Sequence, residues 1–190
     1  METLRRLAGT MLTVCSGIGF GVTAMTGVVA AVVFPTMKEL GPSLPAYAAH
    51  GGPHWSLAAG MVAERVFNIG FAVTGAALLG AMASVLVLAF TRGRREWPVA
   101  RLALLFVTTG IFLTHFAWLQ PRMDSAAAAY RKAAAAGRAD EAAEAKGQFD
   151  DMHPIASKLI GGVALSSLAL FVASSWTSAA ALGRGSAGDA

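Results

Sequence analysis

The side chains that could do chemistry gather at the ends of apolar stretches. In chain order they are Glu64, Arg65 and Asn68, then His115, then His153, Ser157 and Lys158. Glu64 and Asn68 stand four apart, which puts them on one face of a helix. Thr108 and His115, seven apart, share a face as well. His115 is the deepest ionisable group, and an imidazole in hydrocarbon is costly without a partner. The leading expectation is that these residues form an outward-facing polar ring that serves, without catalysis, as a binding or scaffolding surface. Three other uses also fit the set. One is a haem or copper site, with His115 and His153 as candidate metal or cofactor ligands and Met61, Met123 or Met152 as soft donors. Another is a small-solute path, although no internal repeat or clearly broken helix supports it. The third is static: long side chains reach out to headgroups, and Glu64 pairs with Lys158 to fasten two helices.

Other signals are weaker. His50 and His54 are four apart, but Gly51, Gly52 and Pro53 between them argue against one continuous helix and hence against a metal pair. There is no GxSxG, P-loop, HExxH or CxxC, so no catalytic residue is assigned and an enzyme is not expected. No cofactor is assigned either. Cys15, the single cysteine, lies in an apolar stretch and has no partner for an intramolecular disulfide.

These residues must be positioned by apolar helices. Of 190 residues, 55% are hydrophobic and 14% charged, against roughly 25% charged in a soluble domain. Four stretches carry no charge: Leu7–Met37, Val66–Thr91, Leu102–Pro121 and Leu159–Gly183. Each reaches the ~20 residues that cross ~30 Å of hydrocarbon. A soluble bundle with four such helices would have almost no polar surface to cover them. The expected fold is therefore all-α: a four-transmembrane-helix bundle in one integral-membrane domain. Its spans cover about 8–34, 62–90, 101–120 and 154–181. The second helix begins earlier, near Ser56, with Glu64 and Arg65 in the far headgroup layer.

Local signals refine the spans. Gly17 and Gly21 form a GxxxG pair that lets helix backbones approach closely in lipid, within the chain or in a dimer. Pro35 is expected to end the first span, and Gly41, Pro42, Pro45, Gly51, Gly52 and Pro53 mark a loop. An alanine-rich, charged insert, 122–151, is expected to form an extracytoplasmic helical hairpin broken at Gly137 and Gly147. It has few large apolar residues, Tyr130 and Phe149, with which to build a core. Pro154 suits the first turn of the last helix, with Asp150 and Asp151 beside the positive end of its dipole.

The net charge of +4 and pI near 9.7 do not point to nucleic acid, because the arginines flank the apolar stretches. Arg5, Arg6, Arg92, Arg94, Arg95, Arg101 and Arg184 share one side, against Glu2, Glu96 and Asp189. The positive-inside rule then places both termini in the cytoplasm, in a cell (inner or plasma) membrane. Trp55 and Trp118 would mark the outer interface, Trp97 and Trp176 the inner one. Arg5-Arg6 before an apolar run is also like a signal peptide. The run is too long for that, and no small-x-small site ends it, so a retained anchor is expected. The lipid bilayer is the expected partner; a second copy or another membrane protein is open.

Three elements carry a family resemblance: Val33-Phe34-Pro35, the Gln120-Pro121-Arg122 junction, and Phe149-Asp-Asp-Met-His153-Pro-Ile-Ala-Ser157. With four spans and a charged segment before the last, the chain resembles the transmembrane protein 205-like family over roughly residues 10 to 180. That resemblance implies a multi-pass membrane protein with no established reaction, and His153 and Ser157 as the positions to carry over. Where the family often has Asn shortly after the Ser, this chain has Lys158, Gly161 and Gly162. A likeness to four-span copper-resistance and haem-handling proteins is one of architecture alone.

Overall fold

The computed structural model describes residues 1–91 and 99–186, with side chains to Trp176. Arg92, Arg94, Arg95, Glu96, Trp97 and Asp189, and the side chain of Arg184, lie outside what is described, so their proposed roles in orientation are not addressed by it. The chain is all-α. Helix α1 covers Glu2–Leu40, α2 His54–Thr91, α3 Val99–Leu113, α4 Gln120–Ala135 and α5 Ala139–Ser186. A six-residue π-helical turn, Thr114–Leu119, joins α3 to α4 without a break. Among the described residues four helices are long and apolar enough to cross a membrane: α1, α2, α3 with α4, and α5.

The helix ends differ from the expectations. Pro35 lies inside α1, which runs on to Leu40. The stop is Gly41, at φ +55°, whose N–H donates to Met37 C=O at 3.1 Å. This is the left-handed cap that glycine adopts without a Cβ penalty. A proline costs the helix one hydrogen bond but need not end it. Past it, Lys38 reaches over the Trp55 ring of α2, 6.0 Å from the centroid.

Pro154 likewise lies inside α5, a helix of 48 residues, rather than opening it. The alanine-rich stretch before it is helical enough to carry the helix back to Ala139. Gly147 does not interrupt it. The 122–151 segment is thus not a separate insert: its first half continues α3, and its second half is the start of α5.

The described residues form two compact units. One comprises Met1–Thr23, Ala72–Phe112 and Gly161–Ala190, the other Ala24–Phe71 and Leu113–Ile160. In the first unit, packing is by small residues. A Cβ on Gly17 would meet the Phe171 ring at 3.2 Å, and one on Gly19 would meet Ser167 Oγ at 3.5 Å. One on Gly80 would come to 2.7 Å from Cys15 Sγ. Gly21 meets nothing within 4 Å, so Gly17 packs within the chain while Gly21 is exposed. Two buried hydroxyls turn back on their own helices: Ser16 Oγ donates to Leu12 C=O at 2.7 Å and Thr108 Oγ1 to Leu104 C=O at 2.8 Å. That satisfies them with no partner helix required.

The second unit is built around the turn between α4 and α5. Gly137 takes φ +68°. Arg138 N–H donates to Ala133 C=O at 3.0 Å and Gly137 N–H to Ala134 C=O at 3.1 Å, the pair of bonds of a Schellman turn. Asp140 and Glu141 follow in the first turn of α5, and Lys132 lies in the last turn of α4, each suited to its end of the helix dipole. Leu57, Ala133, Ala134 and Ala142 are buried together, covered by Leu44, Tyr47 and Tyr130. The hairpin's alanines are thus buried against Leu57 of α2 and the Leu44–Tyr47 segment. Further along, Leu119, Met123 and Ala156 form another buried cluster with Phe149, Met152 and Leu159.

Candidate functional site

Every residue singled out from the sequence for chemistry lies in the second unit. Arg65, Asn68, His153, Ser157 and Lys158 are exposed, Glu64 is half-buried and His115 is buried. Ser157 Oγ donates to His153 C=O at 3.0 Å, a bond within one helix turn. The His153 ring stacks on Phe149, centroids 6.0 Å apart. Apart from that bond, no hydrogen bond, ion pair or ring contact joins any two of these seven side chains.

Glu64 is held, but not by Lys158. Arg131 on α4 donates through Nη1 to Oε2 at 2.5 Å and through Nη2 to Oε1 at 3.5 Å. Less than a third of either side chain is exposed. Solvent therefore screens this pair less than it would a pair on an open surface. On the same helix Gln120 Nε2 donates to Asp124 Oδ1 at 2.8 Å. Asp124 in turn lies within electrostatic reach of Glu64 and Arg131. A band of four polar groups thus joins α2 to α4. Sequence reasoning missed Arg131, which is 67 residues from its partner. The four-residue spacing of Gln120 and Asp124 was a signal for that pair.

His115 sits in the π-helical turn and is only 2% exposed. Gln120 N–H donates to its carbonyl, five residues back. An α-helical turn would press the Pro121 ring against the carbonyl of residue 117. The wider π turn, which contains Ala117, gives the ring room. The imidazole packs on Phe71, centroids 4.7 Å apart. Neither ring nitrogen has a hydrogen-bond partner. The Gln120 side chain lies near the ring while donating to Asp124, but it forms no bond of good geometry with the imidazole.

The loop histidines are structural. Leu44 N–H donates to His54 Nδ1 at 3.0 Å, which leaves the neutral ring's proton on Nε2. That tautomer has no free lone pair for a metal. His50 stacks on His54 and meets Tyr130 edge-on, with its Nε2 3.4 Å from the phenolic oxygen. Among the described residues no group of three His, Cys, Asp or Glu side chains could hold a metal ion.

An open groove of ≈ 600 Å³ lies between α4 and α5. Arg122, Ser125 and Ala126 line it from α4, and Gln148, Asp151 and Met152 from α5. Arg122 is poised over the face of Trp118, 4.5 Å from the ring centroid. Among the described residues neither Arg122 nor Asp151 has an ion-pair partner.

No family model matches this chain. Among curated proteins and solved structures there is no match either. Function must therefore be argued from this geometry.

Proposed function

We propose that this chain is a non-enzymatic, multi-pass membrane protein that binds a partner through the groove between α4 and α5. Both termini face the cytoplasm in this reading, and the α4–α5 hairpin lies on the outer side. One observation carries it. The hairpin buries its alanines against Leu57 of α2 and the Leu44–Tyr47 segment, yet leaves an open groove bearing one cation and one anion, neither of them in an ion pair. A hairpin serving only as a spacer has no need of such a groove. The resemblance to the transmembrane protein 205-like family belongs to the same proposal. Of the three elements that carry it, the Phe149–Ser157 one lies on α5 beside Gln148.

Site-specific photo-crosslinking in cells tests the reading. Probes at Ser125 and Gln148 are expected to trap adducts, while a probe at exposed Glu144, on the same helix as Gln148 but outside the groove lining, traps none. Equal trapping at all three positions, or none at any, would sink it.

The haem- or copper-handling reading draws on one specific observation: a buried imidazole with both nitrogens free. His153, the other candidate ligand, is exposed and in contact with Phe149 rather than His115.

A further inference from the structure

The α4–α5 groove begins where hydrocarbon would end. On α4 its lining starts at Pro121, the last residue of the charge-free stretch Leu102–Pro121, and Arg122 is the first charge after it. On α5, Asp151 and Met152 stand three and two residues before the expected start of the last span at about 154. The outer layer between hydrocarbon and water is ~5–7 Å deep, about four residues of helix. Arg122 and Trp118, a cation resting on an exposed indole, form a pair suited to that layer.

The groove offers opposite charges, one on each wall. The guanidinium of Arg122 is a forked donor matched to phosphate oxygens. The Asp151 carboxylate accepts from an ammonium. Ser125 and Gln148 add neutral hydrogen-bonding groups, while Ala126 and Met152 supply apolar surface. A purely anionic headgroup would satisfy Arg122 but set its charge against Asp151. A group with phosphate and primary ammonium a few bonds apart answers both walls.

We propose that this groove binds the phosphoethanolamine headgroup of a membrane lipid, phosphate toward Arg122 and ammonium toward Asp151. The proposal rests on the membrane-embedded binding reading above and names the ligand of that groove.

Native mass spectrometry of the full chain in detergent, titrated with lipids of identical acyl chains, tests it. Phosphatidylethanolamine is expected to be retained more strongly than phosphatidylglycerol or phosphatidylcholine. Arg122→Gln and Asp151→Asn are each expected to weaken its retention roughly tenfold, the worth of one charge-assisted hydrogen bond. Asp151→Asn alone should raise retention of phosphatidylglycerol, because it removes the opposing charge. Lys146→Ala, on the same helix but outside the groove lining, should change nothing. Melting curves of each variant separate lost binding from lost fold; if Arg122→Gln melts early, the Asp151→Asn switch in preference decides alone. Equal retention of the three lipids, unchanged by either substitution, would overturn the proposal. Protein adducts at Ser125 and Gln148 together with that result would overturn the headgroup and leave the binding surface standing.

Discussion

Arg131 and Glu64, 67 residues apart, meet two-pronged, guanidinium to carboxylate, at 2.5 and 3.5 Å. This contact fastens α4 to α2. Removing one partner leaves a partly desolvated charge alone, at a cost between that of a surface pair and a buried one, about 1–3 kcal/mol. Glu64→Ala and Arg131→Ala are therefore each expected to lower the melting temperature in detergent. The exchanged double variant, Glu64→Arg with Arg131→Glu, should recover part of the loss. Lys158→Ala should have no effect, which separates this pairing from the alternative of Glu64 with Lys158.

Two glycines in the hairpin are expected to respond in opposite directions. Gly137 has φ +68°, and a Cβ there would meet Ala49 Cβ at 3.1 Å. Gly137→Ala should destabilise by about 1–3 kcal/mol through backbone strain, with the contact adding to it. Gly147 lies inside α5 with nothing within 4 Å of its would-be Cβ. Gly147→Ala should stabilise by roughly 0.5–1 kcal/mol from helix propensity alone. Thermal melts of the two variants side by side check both signs.

His115 carries an unpaid desolvation penalty of about 1–3 kcal/mol, since neither nitrogen is bonded. Leucine has a similar volume and no polar atoms. His115→Leu is expected to melt at the same temperature or higher, and the wild-type protein to purify without a Soret band or stoichiometric copper. A Soret band or bound copper in the wild type, lost in His115→Leu, would reverse this in favour of the haem or copper reading.

Orientation can be read with thiols. In a Cys15→Ser background, a cysteine at Ala143 should react with an impermeant maleimide added to intact cells. One at Glu2 should react only after lysis. The reverse pattern would invert the proposed topology.

The four apolar helices were legible because crossing length and charge exclusion are local properties of the chain. Their ends were harder. Pro35 and Pro154 were read by the local rule that proline starts or stops a helix, whereas helix-forming residues on both sides carry α1 and α5 through them. Gly137 was recognised as a break, and Gly147 was misread by the same rule. What separates the two is backbone conformation: Gly137 takes φ +68° in the turn between α4 and α5, whereas Gly147 lies inside α5. The alanines of the 122–151 segment read locally as helix formers only, although Ala133, Ala134 and Ala142 are also its buried surface. Arg131 gave no local sign of its role, because nothing in its neighbourhood points to Glu64. The π turn around His115 was signalled only by Pro121.

The link between α4 and α5 is just Ala136, Gly137 and Arg138. The turn closes the hairpin only once both legs are helical: the 37 residues between the third and fourth apolar stretches, 122–158, are long enough for each stretch to enter the bilayer in its own time. On the proposed orientation the charged tip is carried across the bilayer before the hairpin zips shut behind it.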